Sequence, residues 1–425
     1  MRLLYTFLWY LLLPLLFARL WWRGRRAPAY RARWRERLAL GYRPGTLRDS
    51  VWIHAVSVGE TLAAAPLIEA LMAAHPRTPL VITTTTPTGS ERVRALFGDR
   101  VTHVYCPWEL PGAYRRFLRA FDPKLVAVME TELWPNLCAA ADAHGAALVL
   151  MNGRLSEKSY RGYARLPALV RPMLARFQVL AVQTAVEAER FAALGAPRDR
   201  LRVNGSIKFD LALDAPLRDR AAALRGEFGG RPVWIAASTH PGEDEIVLAA
   251  HRRLLNHLPG VLLVLVPRHP ERFGEVAALA RGMGFTVARR SEQPAVTDEC
   301  EVYLADTMGE LMMLYGACDV ALVGGSLVPV GGHNLLEPAA WGVPVLSGPQ
   351  LHNFTAIAAL LNDAGALAVV NDEGELAERL ERLLADAGER RRLGEAAAAV
   401  VAANRGALQR GVTIFSSLWP SRSGL

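Results

Sequence analysis

From Val51 onward the chain alternates short, nearly unbroken apolar runs with longer stretches whose apolar residues recur at helical spacing. A continuous apolar run suits a strand buried on both faces, and helices between such strands supply the crossovers of a parallel sheet. The runs Val51–His54, Leu80–Thr84, Val101–Tyr105, Leu125–Met129, Ala147–Asn152, Val179–Gln183 and Leu201–Asn204 predict one set of strands. A second set is predicted at Val233–Ala237, Val261–Pro267, Thr286–Ala288, Val302–Ala305, Val320–Gly324 and Val343–Leu346, with closing helices from Leu376 to Ala403. Between the sets, Pro216 and Gly229-Gly230-Arg231-Pro232 punctuate an Arg- and Ala-rich stretch that reads as a linker. The expectation is therefore two doubly wound α/β domains facing a cleft, with ligands near the carboxyl ends of the strands.

The 425 residues suit two such domains, and a composition 51% hydrophobic and 21% charged excludes a mainly disordered scaffold. The predicted divisions are an N-terminal anchor over 1–26, a first Rossmann-like domain over 27–210, a linker over 211–230 and a second Rossmann-like domain over 231–425. The anchor reading rests on the uncharged run Leu3 to Ala18, with Trp21 and Trp22 beyond it and Arg19, Arg23, Arg25 and Arg26 at its end. Tryptophans at an interface and arginines behind the apolar run mark a cytoplasmic flank, whereas a cleavable signal would carry its basic residues first. Pro14 and the marginal length leave both a bilayer span and a helix lying in one leaflet open.

A net charge of +8 favours anionic partners. Nucleic acid is disfavoured, because the arginines adjoin the apolar run instead of interleaving with stacking aromatics. No phosphate loop, dinucleotide fingerprint or H-E-x-x-H zinc motif is present, and no acidic cluster calls for a divalent metal. Cys106, Cys138, Cys300 and Cys318 lack metal or disulfide spacing and are expected to be reduced and mostly buried.

Candidate chemistry falls where strands end. Glu60 follows Gly59 after the first strand, placed either to act as a general base or simply to complement a helix dipole. Glu130 and Glu132 follow the Leu125–Met129 strand, Glu130 being expected as the buried functional member and Glu132 as a helix-start residue. Lys208, in a chain that otherwise favours arginine, could neutralise a phosphate leaving group. In the second half, Arg268 and His269 end an apolar strand, Asp306 to Leu311 reads as a helix cap with free amides, and Gly324-Gly325-Ser326 and Gly331-Gly332-His333 precede Asn334 and Glu337. That glycine density allows close backbone approach, and Asn334 and Glu337, three apart, are placed to take ribose hydroxyls of a sugar nucleotide.

Taken in order, Arg23-Gly24-Arg25-Arg26, Ser57-Val58-Gly59-Glu60-Thr61, Pro87-Thr88-Gly89-Ser90, Met129-Glu130-Thr131-Glu132-Leu133-Trp134-Pro135-Asn136, Pro267-Arg268-His269-Pro270 and Gly331-Gly332-His333-Asn334 closely resemble the bacterial Kdo (3-deoxy-D-manno-octulosonic acid) transferase family. The resemblance spans nearly the whole chain. It implies a GT-B glycosyltransferase on the cytoplasmic face of the inner membrane that moves Kdo from CMP-Kdo to lipid IVA by inversion, with no metal. It also implies Glu60 as general base, Glu130 and Lys208 as supports of the transition state, and Pro267, Arg268, Met308, Gly309, Glu310, Asn334, Leu335, Leu336 and Glu337 as CMP contacts. Val328-Pro329-Val330 departs from the charged residues of the family pattern just before Gly331.

Overall fold

The computed structural model describes residues 1–292 and 296–419 and divides the chain into two compact units, 1–210 with 405–425, and 211–404. In the first unit, strands β1 (Ser50–His54), β2 (Leu80–Thr84), β3 (Thr102–Tyr105), β4 (Pro123–Met129), β5 (Ala147–Gly153), β6 (Val179–Val182) and β7 (Leu201–Val203) form one sheet. Every pairing is parallel and the order is β3-β2-β1-β4-β5-β6-β7. The order reverses between β1 and β4, which makes the carboxyl ends of these two neighbours the natural ligand position. The inner strands β1, β2, β4 and β5 are buried along nearly their whole length because helices cover both faces: Trp52, Val126 and Leu148 face one apolar cluster, while Ile53, Ala127 and Val149 face another.

The second unit repeats the plan with β8 (Val233–Thr239), β9 (Leu262–Pro267), β10 (Val287–Arg289), β11 (Val302–Leu304), β12 (Val320–Val323), β13 (Val345–Ser347) and β14 (Leu367–Val369). The order is β10-β11-β9-β8-β12-β13-β14, again all parallel, with the reversal between β8 and β12. The predicted strands are all present, and β14 is an addition.

Two predicted divisions are corrected. The stretch 211–230 is not a linker: Ala215–Glu227 is a helix capped by Asp214, whose Oδ1 accepts from Leu217 N at 2.9 Å. Ala221, Leu224 and Phe228 bury themselves in the second unit's core. Its polar face carries the arginines that gave the segment its linker-like composition. Residues 405–419, expected to close the second domain, pack with the first. Asp210 accepts from Gly406 N and Leu408 N at 2.6 Å, and Asn204 Nδ2 donates to Ala407 O at 2.9 Å. The helix Ala407–Leu418 then buries Ala407 and Phe415 in the cluster that holds Leu67 and Met151.

The N-terminal helix Arg2–Arg23 is long and apolar enough to cross a membrane, by length and composition. One stripe of it lies on the first unit. Thr6 exchanges hydrogen bonds with Asn136, Trp9 packs edge-on against Trp134 at 6.0 Å, and Phe17 packs against Trp108 at 4.8 Å. These contacts recur at helical spacing, which leaves Leu4, Phe7, Leu8, Leu11 and Leu15 exposed on the other side.

Candidate functional site

At the carboxyl edge of the first sheet, β1 ends and the helix Val58–Ala74 begins with Ser57 as its cap. Glu60 occupies the third helical position and folds back: its Oε2 accepts from Val56 N at 2.9 Å, and Ser57 Oγ donates to its Oε1 at 2.9 Å. The Ser57 side chain also accepts from Glu60 N at 3.4 Å, and together these bonds fix the carboxyl over the end of β1. Burial pushes its pKa up to about 7, the Val56 amide opposes, and the nearby Glu132 and Glu130 charges add to the rise. A half-buried carboxyl with so few internal donors keeps capacity for an outside hydroxyl.

Glu130 directly follows β4 with φ of 53°, the left-handed region. Its amide donates to Met151 O at 2.9 Å, holding the turn to the end of β5. A non-glycine residue there carries strain, which clusters at functional positions. Contrary to expectation, Glu130 is not the buried one of the pair; Glu130 and Glu132 are both half-buried. Nor does Glu132 start a helix, since the next one begins at Pro135. Glu132 instead accepts from Trp134 Nε1 at 2.8 Å, and burial raises its pKa.

Lys208 lies in a short 3-10 turn, Ile207–Phe209, beyond the edge strand β7. Ile207 N donates to Asn152 Oδ1 at 3.3 Å, which draws the turn back over β5, and the turn packs on the helix that carries Glu60. The Lys208 side chain itself is exposed. The structure thus gathers Glu60, Glu130 and Glu132 at the switch point and brings the Lys208 turn toward it.

In the second unit, Arg268 follows β9, its amide donating to Thr239 O at 3.0 Å. Its guanidinium is close enough to Glu337 to oppose the rise that burial imposes on that carboxyl. Asn334 does two jobs: Oδ1 accepts from Leu336 N at 3.2 Å, closing the turn that leads into the short helix Leu336–Ala340, and Nδ2 donates to Glu337 Oε1 at 3.0 Å. Leu335 and Leu336 are fully buried beneath this pair, and Pro267 ends β9.

The Asp306 to Leu311 segment departs from expectation. The helix Leu311–Gly316 has six residues and no side-chain cap. Asp306 turns to Arg289 at 2.7 Å and to Ser291, while Arg290 meets Glu310 at 3.1 Å and holds its pKa down. Glu310 therefore comes with an ion-pair partner of its own. Met308 is exposed and Gly309 adopts φ of 84°.

One organising residue was missed in the sequence. Glu243 is 1% exposed and accepts from four backbone amides: His240 and Gly325 at 3.0 and 2.6 Å, Ser326 and Leu327 both at 2.9 Å. It pins the glycine loop after β12 to the loop after β8. On the same loop pair, the His240 and His333 rings lie nearly coplanar in orientation with Nε2 atoms 2.9 Å apart, a hydrogen bond in which one nitrogen donates and the other accepts. A Cβ on Gly325 would sit 2.9 Å from the His333 ring, which is why this position is glycine.

Residues 32–211 match the family model described as 3-deoxy-D-manno-octulosonic-acid transferase, and residues 231–400 match glycosyl transferases group 1. The chain is 43% identical to the 3-deoxy-D-manno-octulosonic acid transferase of Haemophilus influenzae, over 96% of each chain. The chain belongs to the Kdo transferase family. The enzyme of the same name from Bordetella pertussis is 39% identical over 94% of this chain and 95% of its own. Among solved structures, the UDP-GlcNAc 2-epimerase of Neisseria meningitidis superposes with a TM-score of 0.58 at 14% identity, covering 87% of this chain and 99% of its own. That likeness concerns the fold, the GT-B plan of two Rossmann-like sheets. Family membership makes the chain a glycosyltransferase.

Proposed function

We propose that the chain transfers Kdo from CMP-Kdo to lipid IVA, with inversion at the anomeric carbon, on the cytoplasmic side of the inner membrane. The observation that carries this reading is the 43% identity to a curated Kdo transferase along 96% of the chain. Glu60 is the general base. The acceptor hydroxyl attacks the anomeric carbon as its proton passes to Glu60, the new carbon–oxygen bond forms, and the bond to the phosphate oxygen breaks. CMP leaves with the bonding electrons and one more negative charge. Lys208 and Arg268 offset that charge, and Glu130 supports the transition state. Pro267, Met308, Gly309, Glu310 and the Asn334 to Glu337 segment contact CMP. Among the described residues no three His, Cys, Asp or Glu side chains converge to hold a metal ion. Neutralisation is assigned to the cationic side chains.

The N-terminal helix lies in the plane of the membrane, within one leaflet. The Trp9 and Phe17 contacts tie one side of it to the first unit and leave the apolar side free, the arrangement of an interfacial helix.

Thermal unfolding with nucleotides tests the donor assignment. CMP is expected to raise the unfolding temperature, since a ligand at about 100 times its Kd stabilises by roughly 2.7 kcal/mol. UDP is expected to do far less, and EDTA to leave the CMP shift unchanged. An equal or larger shift with UDP would assign the chain a different donor.

A further inference from the structure

We infer that a basic pocket at the start of the N-terminal helix binds the phosphate of an anionic membrane lipid, an inference that rests on the helix lying in the leaflet. The pocket, of about 380 Å³, is lined by Arg2, Arg115, Arg119 and His144 over an apolar floor that includes Leu118 and Ala139. Arg115 and Arg119 are one turn apart on the helix Pro111–Phe121 and so project from the same face, where like charges repel unless an anion joins them. Three exposed arginines elsewhere in the unit close on carboxylates, Arg100 on Glu69, Arg161 on Glu157 and Arg198 on Glu189, but what distinguishes the pocket is that its arginines converge on one cavity. Among the described residues, the guanidiniums of Arg2, Arg115 and Arg119 meet no carboxylate at ion-pair distance. The nearby acids are already engaged, Asp122 by Lys124 and His144, and Asp142 by Arg176.

Position selects the anion. Arg2 is the first residue of the helix whose free side exposes Leu3, Leu4, Phe7 and Leu8, so an anion held in the pocket borders an apolar surface. A phosphate carried on acyl chains satisfies both surfaces, whereas a free phosphate satisfies only the arginines. The pocket runs along the groove between the helices Pro111–Phe121 and Pro135–His144, from Pro111 and Asn136 at the carboxyl edge of the sheet to Arg119 and His144 at its amino edge, and neither Glu60 nor Glu130 lines it.

The test uses the full chain and sedimentation with vesicles of phosphatidylcholine alone, or with added phosphatidylglycerol, and no sugar acceptor. The variant R2Q/R115Q/R119Q is compared with R281Q/R391Q/R392Q, which removes the same charge from exposed positions of the second unit. At about fivefold per arginine near an anionic surface, the pocket variant is expected to lose on the order of 100-fold in affinity for anionic vesicles. The control should lose little, and binding of both to neutral vesicles should match the parent. Equal losses in the two variants, or no loss in the pocket variant, would overturn the pocket. Release of the parent from anionic vesicles by millimolar inorganic phosphate would assign the site to free phosphate instead. Absence of parent binding to either vesicle would overturn the in-plane helix itself, a failure distinguishable from that of the pocket.

Discussion

Glu60→Gln is expected to cut Kdo transfer by about a hundred- to ten-thousand-fold while leaving the CMP-induced rise in unfolding temperature intact. Glutamine preserves the carbonyl that accepts from Val56 N and fills the same volume, so the turn between β1 and its helix survives. What it removes is proton affinity. The carboxyl, with a pKa pushed up to about 7, is protonated in a large share of the molecules at neutral pH. The catalytically competent carboxylate increases as pH rises through 7, and kcat/KM should rise with it, levelling off one to two units higher. Stability runs the other way. The group's folded pKa lies above its ordinary value of 4.5, so its contribution is fully present below 4.5 and is lost as pH climbs through about 7. The Gln variant should lack this component of the pH dependence, which a purely structural role in the turn would leave tied to unchanged turnover. Measurement of kcat, CMP-induced thermal shift and the pH profile on one preparation separates the two roles.

Glu243→Ala is expected to be the most damaging single change in the second unit. Four backbone amides converge on this carboxylate, and removing it leaves several buried donors without an acceptor. At 1–3 kcal/mol for each unsatisfied buried group, with part recovered by relaxation, the loss is roughly 4 kcal/mol or more. The glycine loop from Gly324 to Leu327 would lose its tie to His240, and CMP affinity should fall along with stability. Glu243→Gln keeps one accepting oxygen and should show an intermediate loss. Denaturant unfolding and CMP titration of both variants check the ordering; an alanine variant as stable as the parent would remove Glu243 from its organising role.

Glu60 and Glu243 also show where sequence reading stops. Both follow a glycine after the first strand of their unit, and both accept from the backbone just upstream. In sequence they are twins, yet only Glu60 was singled out. Their difference lies in how many donors reach them: Glu243 is saturated by amides from a loop more than eighty residues away, while Glu60 is bound only by local groups and stays half-buried. No local pattern reports that distant loop. The strands were legible because each buried run is continuous and apolar. β14 escaped because its three residues, Leu367 to Val369, merge with an Ala-rich flank. The helix Ala215–Glu227 was read as a linker because its inward residues are few and its outward ones mostly arginine and aspartate, although Asp214 and Pro216 form a recognisable helix start. The Asn334–Glu337 pair was visible from spacing alone, but the ion pair between Arg290 and Glu310 joins segments twenty residues apart and was not.

The most direct measurement is mass spectrometry of lipid IVA after incubation with the purified chain and a CMP-Kdo generating system. A lipid product heavier by one or more Kdo units, formed with release of CMP and absent with Glu60→Gln, is the expected result. An unchanged lipid, or one elongated as readily by the Gln variant, would contradict the assignment of Glu60 as the base that delivers Kdo to this acceptor.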